Sequence, residues 1–313
     1  MVTATAHTNI ALIKYWGKAD ATLNLPTTSS LSLTLDDFYT TTTVTRADKD
    51  TFTLNGAPAD GTRVFKFLET LRGELGDFGG LTIDSVNHVP TSAGLASSAS
   101  AFAALTGAVT RELGLDLDTA TLSRLARRGS GSASRSFFAD FALWHAGHDD
   151  ASSFAESLAL PADDIAMLVV QVSAAQKSIG STLGMQRAQT APTYADWVAK
   201  SAAQLNDIQR ALADADLAKA GEIAEANALA MHRLNETARE PFTYFTDETR
   251  ALIAFVQQLR QQGVLAFVTI DAGPNVKIIT NRTTVPTLQT ALKQAFPALP
   301  VTAAYPGGGI TYA

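Results

Sequence analysis

The sequence predicts an α+β fold in two lobes, and three observations lead there. The 313 residues are long for one hydrophobic core and comfortable for two. Residues 1–60 are rich in period-two and β-branched stretches. The second half alternates strand, three helices, strand, helix and strand, with a soft division near residue 160.

Taken in order, Ser30-Leu31-Ser32-Leu33-Thr34-Leu35 alternates as a strand, and the Thr-rich run from Tyr39 to Arg46 reads as another. Asp36-Asp37 is a candidate turn between them. Arg63 to Gly73 is helical, with Val64, Phe67, Leu68 and Leu71 along one side. Leu81 to Val86 is a strand, Ser98 to Leu113 a small-residue helix, and Asp118 to Arg127 a third helix capped by Asp118 or Thr119. Ile165 to Val172 is an apolar run of central-strand length. Tyr194 to Glu236, Ala-rich and lacking glycine except Gly221, reads as two helices. Thr246 to Gln262 and Thr284 to Ala295 are helical, while Val264 to Ile270 and Val301 to Tyr305 are strands.

Hydrophobic residues make up 46% and charged residues 17%, an ordinary globular balance. No apolar run reaches the roughly 20 residues of a bilayer span, and no leader pattern is expected at the N-terminus. The absence of cysteine excludes disulfides, thiolate metal sites and thiol nucleophiles, and fits a cytoplasmic protein. A net charge of −6 argues against a nucleic-acid partner, so any anion must be held by local groups.

Four stretches carry chemistry. Pro90-Thr91-Ser92-Ala93-Gly94-Leu95-Ala96-Ser97-Ser98-Ala99 lies between a strand and a helix. Glycine and serine let backbone N–H groups converge on an anion, and the helix N-terminus adds about half a positive charge. Gly94, Ala96, Ser97 and Ser98 are the candidate phosphate cradle, with Ser97 also a candidate metal ligand; a ligand-free serine cap is the alternative. No Gly-Lys-Ser/Thr follows, so this is not a Walker loop. Gly129-Ser130-Gly131-Ser132-Ala133-Ser134-Arg135-Ser136 reads either as a solvated linker or as a donor-rich turn whose guanidinium suits a carboxylate or phosphate. Asp271-Ala272-Gly273-Pro274-Asn275 ends an apolar strand. An acid there can orient a hydroxyl during phosphoryl transfer, although a turn-capping aspartate is the simpler reading of that stretch alone. Asn9 to Lys18 delivers Lys14, Tyr15, Trp16 and Lys18 together: two cations beside a phenol to hold a phosphorylated substrate, or a packed tryptophan with exposed lysines. Weaker features are the polar loop from Lys177 through Ser181 and the late glycine run Gly307-Gly308-Gly309. The five histidines show no metal spacing, and His232 reads as packed.

The order of these stretches is specific. Pro90 to Ala99 resembles the phosphate loop of the superfamily of galacto-, homoserine, mevalonate and phosphomevalonate kinases. The other three resemble signatures of the mevalonate diphosphate decarboxylase family. That resemblance implies a small-molecule-kinase fold, residues 1–160 carrying the ATP phosphate loop and 161–313 the catalytic aspartate, with the cleft between lobes. It implies ATP and Mg²⁺, mevalonate 5-diphosphate as substrate and isopentenyl diphosphate as product. Carried onto matching positions, it implies Asp271, Arg135 and Lys18 in catalysis, with Lys18 near the acid. It implies Tyr15, Lys18, Ser130, Arg135 and Ser181 on the substrate, with Gly94, Ala96, Ser97 and Ser98 on ATP. A cytoplasmic homodimer without membrane or nucleic-acid partners completes the expectation. The chain departs from the pattern at His7, where the family has proline, and at Ser134, where it has cysteine. A monophosphate decarboxylase, a kinase that stops after phosphorylation, and a non-catalytic nucleotide-binding regulator remain open on the same fold. A dinucleotide oxidoreductase is opposed by the lack of Gly-x-Gly-x-x-Gly after the first strand.

Overall fold

The computed structural model describes residues 1–88, 97–173, 175 and 178–313. Chain order in the first lobe is β1 (Val2–Ile13), β2 (Lys18–Asp20), β3 (Leu25–Pro26), β4 (Ser30–Ala47), β5 (Thr51–Leu54), β6 (Ala57–Pro58), α1 (Thr62–Leu75) and β7 (Gly80–Asn87). Then come α2 (Ser97–Glu112), α3 (Thr119–Gly129), a 3₁₀ turn (Gly131–Arg135), β8 (Phe141–Trp144) and β9 (Ala155–Leu158). Asp118 caps α3, its carboxylate accepting the Thr121 N–H at 2.7 Å.

The second lobe holds β10 (Ile165–Val170), α4 (Ser181–Ala188), α5 (Tyr194–Ala213), α6 (Leu217–Thr237), α7 (Asp247–Gln261), β11 (Phe267–Ile270), β12 (Val276–Asn281), α8 (Val285–Ala295) and β13 (Val301–Ala304). Its antiparallel sheet runs β11-β12-β10-β13. A final strand, β14 (Thr311–Tyr312), returns to pair with β1, so the first sheet runs β14-β1-β4-β7-β5-β6, with β8 and β9 branching from β4.

Three features differ from the sequence reading. Asp36-Asp37 makes no turn: β4 continues as one strand of 18 residues. Its pairing passes from Asn9↔Thr34 to His7↔Tyr39, so the residues between Thr34 and Tyr39 bulge against β1. The returning chain satisfies that bulge, because Asp36 accepts the Tyr305 N–H on its carboxylate at 2.8 Å and donates its own N–H to the Tyr305 carbonyl at 2.9 Å. Next, β11 starts at Phe267 rather than Val264, because Val264 is used to close α7, its N–H bonding the Leu259 carbonyl at 3.1 Å. Finally, β8, β9, β12, β14 and α4 were not anticipated, the last lying in the stretch read as a polar loop.

One apolar cluster joins the lobes. Ile10, Leu12 and Leu33 of the first sheet pack with Met167 and Phe267 of the second and with Ile223 of α6. This shared core fixes the end of β1 against the end of β11. Gly221 lets α6 approach that closely, since a Cβ there would lie 2.2 Å from Phe267 Cδ2. Gly221→Val is therefore expected to lower stability by about 2 kcal/mol through overpacking, outweighing the gain in helix propensity of roughly 0.5 kcal/mol. Equilibrium denaturation checks this; an unchanged or raised midpoint would contradict the close helix–strand contact.

Candidate active site

The site forms where β1 and β11 end. Asp271 immediately follows β11, with its side chain 21% exposed. The Lys14 ammonium, just past β1, donates to Asp271 Oδ1 at 2.6 Å. From β12, Lys277 brings its Nζ to 3.3 Å from Oδ2. Burial alone would raise the Asp271 pKa, but the two ammonium groups outweigh it and hold the carboxyl well below the usual range. Asp271 is thus a firmly ionised, weakly basic group. Burial lowers the pKa of Lys14, against the pull of Asp271.

Arg135, at the end of the 3₁₀ turn, is 2% exposed. Its Nε donates to Asn9 Oδ1 at 3.1 Å and Ser32 Oγ at 3.0 Å, and its Nη1 to Ser30 Oγ at 2.5 Å. Asn9 stands at the β1 register shift, and its amide also donates to the Ser132 carbonyl and to Ser136 Oγ. The bulge therefore locks the Gly129–Ser136 segment to β1. Burial lowers the Arg135 pKa to about 10, which leaves it cationic at neutral pH. Trp144 backs the group, with Arg135 above its ring at 5.7 Å and Tyr15 edge-on at 4.7 Å. Gly131 is required beneath Tyr15, because a Cβ there would lie 2.7 Å from the phenol ring. Burial pushes the Tyr15 hydroxyl above its ordinary range; it donates to Asn24 Oδ1 at 3.3 Å.

Ser130 joins this segment to the N-terminus of α2: its Oγ donates to Ser98 Oγ at 3.3 Å and lies 3.2 Å from Ser132 Oγ. Ser97 opens α2 and is exposed. Beside them lies a cavity of about 210 Å³, walled by Phe52, Leu54, Val64 and Phe102 with Asn87 and Arg63 at its polar side. Gly94 and Ala96 fall outside the described residues, as does Lys177. Ser181 opens α4, and Met185 of that helix packs in one cluster with Trp16. Lys18 is tied to the same side: its backbone N–H bonds Gln189 Oε1 and its carbonyl accepts from Gln189 Nε2. Burial lowers the Lys18 pKa, and the charge that adds to this is Arg63. The expectation put Lys18 near the acid; the cations paired with Asp271 are Lys14 and Lys277.

Comparison with known proteins gives these residues a context. Residues 6–155 match a diphosphomevalonate decarboxylase-like N-terminal domain, and residues 167–306 a mevalonate 5-diphosphate decarboxylase C-terminal domain. The chain belongs to the diphosphomevalonate decarboxylase family. The diphosphomevalonate decarboxylase of Gibberella zeae is 37% identical, the match covering 88% of this chain and 79% of that one. Mevalonate diphosphate decarboxylase from Enterococcus faecalis superposes with a TM-score of 0.94 at 42% identity, over 100% of this chain and 98% of the other. A chain designated MDDEF, solved in complex with MVAPP, AMPPCP and magnesium, gives 0.95 at 43% identity, again over 100% and 98%. The two-lobed α+β fold is that of the family's solved structures.

Within this family fold, several residues that converge on the site were not singled out by the sequence. The long helix α6 presents two of them, Asn227 and Asn235, beside His232. Asn227 accepts the Lys14 N–H at 2.8 Å, Asn235 accepts the Trp16 indole N–H at 2.9 Å, and His232 Nε2 lies 3.2 Å from the Ile270 carbonyl. A carbonyl only accepts, so Nε2 carries the proton. Burial takes the imidazole down to about 3, so His232 is a neutral packed support behind Asp271, as the sequence suggested. Lys277 was also missed, although a lysine inside the apolar run Val276-Lys277-Ile278-Ile279 was a visible anomaly.

Proposed function

We infer that this chain catalyses the ATP-dependent decarboxylation of mevalonate 5-diphosphate to isopentenyl diphosphate. The observation that carries the reading is an ionised Asp271 set between buried lysines beside a buried Arg135, in a chain of this family. Solved relatives were captured with MVAPP, AMPPCP and magnesium, and the residues here fit such ligands. The apolar cavity beside Ser97 and Ser98 suits a nucleotide base with its phosphates toward the α2 N-terminus. Among the described residues no cluster of His, Cys, Asp or Glu could hold a metal by itself, which fits magnesium carried on nucleotide phosphates with a serine hydroxyl such as Ser97.

In this reading Asp271 accepts a hydrogen bond from the tertiary hydroxyl and aims its oxygen at the γ-phosphorus. An O–P bond forms as the bond from the γ-phosphorus to ADP breaks, and the hydroxyl proton passes late to Asp271, since a loose transition state needs little help from a strong base. The new C–O–phosphate bond then breaks, and the carboxylate departs as carbon dioxide, its C–C electron pair forming the alkene. Arg135 clamps that carboxylate in line, an orientation worth several kcal/mol. Tyr15, Lys18, Ser130 and Ser181 hold the diphosphate end. Family membership also supports our further proposals of a division near residue 160, a homodimer and a cytoplasmic location. Among the described residues no helix is long and apolar enough to cross a membrane.

The test is ADP and carbon dioxide release from mevalonate diphosphate, mevalonate monophosphate and mevalonate. Equal ADP and carbon dioxide from the diphosphate alone is expected. ADP without carbon dioxide would make the protein a kinase, and turnover of the monophosphate alone would overturn the diphosphate assignment.

A further inference from the structure

We propose that Lys277 is a positioning residue for the reaction, acting through Asp271 by holding that carboxylate ionised and oriented while the anionic substrates are bound. The inference rests on the role given above to Asp271.

Three placements carry it. Lys277 lies on β12 directly across from Thr269 of β11, so its side chain rises beside the strand that delivers Asp271. It is 1% exposed, and its ammonium is spent on Asp271 Oδ2 at 3.3 Å and on the Asn275 carbonyl at 3.5 Å, which makes Asp271 the site group through which it acts. Asp271 Oδ2 is fully buried and faces the Lys277 ammonium at 3.3 Å, while Oδ1 is taken by Lys14 at 2.6 Å. Among the described residues, the charged and titratable groups bearing on the carboxylate are thus Lys14 after β1, Lys277 on β12, Arg135 on the 3₁₀ turn and His232 on α6.

One lysine would suffice to neutralise one carboxylate. A second, buried where water cannot help, is costly unless the site needs excess positive charge. Phosphoryl transfer supplies that need. A nucleotide triphosphate, a diphosphate and a carboxylate enter the same cleft, and each pushes the Asp271 pKa upward. With both lysines in place the carboxylate resists protonation when substrates bind. The fixed second cation also stops it rotating toward Lys14 alone.

The experiment compares wild type, Lys277→Met and Lys277→Arg, with Asp271→Asn and the Asp271→Asn/Lys277→Met pair. The kcat–pH profile and single-turnover ADP formation are measured on mevalonate diphosphate. Methionine fills the same volume without charge. In Lys277→Met the acid limb of kcat is expected to move up by about one to two pH units, with the KM for ATP little changed. Lys277→Arg should restore the limb. On the Asp271→Asn background Lys277→Met should cost less than about twofold further, since the group it acts through is gone. An acid limb that stays in place, or an equal loss on both backgrounds, would overturn the proposal. If Lys277→Met does not accumulate folded, Lys277→Gln is read for the same limb. Failure of the functional reading is separate: wild type would then release neither ADP nor carbon dioxide from this substrate.

Discussion

Replacing Asp271 with asparagine is expected to lower kcat by about 10³-fold while nucleotide affinity stays within about twofold, since a positioned acid–base group contributes roughly 10²–10⁴. The two side chains have the same shape, so the loss reports charge and not volume. The amide cannot accept the hydroxyl's hydrogen bond with the strength of an anion, and its NH₂ group can turn toward the oxygen it should orient. It also leaves the Lys14 and Lys277 ammonium groups, 2% and 1% exposed, without their counter-charge. Breaking a buried pair by removing one partner costs about 3–5 kcal/mol, so a lower thermal midpoint is expected beside the kinetic loss. The cavity by Ser97 is walled by other residues, which is why nucleotide binding should survive. Titration with a non-hydrolysable nucleotide separates the outcomes. Retention of most of the turnover would remove Asp271 from the mechanism. Lost nucleotide binding would show instead that the variant had perturbed the whole cleft.

What the sequence revealed of this site follows a physical rule. Asn9–Lys18, Gly129–Ser136 and Asp271–Asn275 sit where strands or helices end, and such places advertise themselves by glycine, serine and proline. The residues that tune them do not. Asn227, His232 and Asn235 lie within an Ala-rich helix whose local pattern reports only its length, and their partners Lys14, Ile270 and Trp16 are distant in sequence. Lys14 and Lys18 were indistinguishable for a related reason. Alternation ends after His7, and Thr8 to Ile13 are all buried, so nothing local says which ammonium turns inward, and the answer comes from β11 and β12. The eight-residue α4 hid because glycines at 180 and 184 and few apolar positions mimic a loop. The bulge at Asp36-Asp37 was half legible: the acidic pair marks a break in regular pairing, but only the returning chain at Tyr305 decides that the strand continues.

Arg135→Lys is expected to reduce carbon dioxide formation by at least about 10²-fold, and to do so more than it reduces ADP formation, because a bidentate guanidinium clamp is worth several kcal/mol of orientation. Arg135 has two tasks at once. Its Nε and Nη1 are anchored to Asn9, Ser32 and Ser30, while its Nη2 makes no hydrogen bond among the described residues. The anchored edge sets the plane, and the outer N–H pair is left to meet a carboxylate. An ammonium carries three donors on one atom and cannot reach the three oxygens and present a second edge as well. Charge is at risk too. Burial takes the arginine down to about 10, and the same burial acting on an amine of lower intrinsic pKa moves it toward the neutral form. Trp144 compounds the loss, since it backs a flat group better than a tetrahedral one. Phosphorylation of the hydroxyl depends chiefly on Asp271 and should continue, so single-turnover experiments on Arg135→Lys should show ADP appearing ahead of carbon dioxide. Equal loss of both products would mean that Arg135 serves binding of the whole substrate, and full activity would remove the carboxylate clamp altogether.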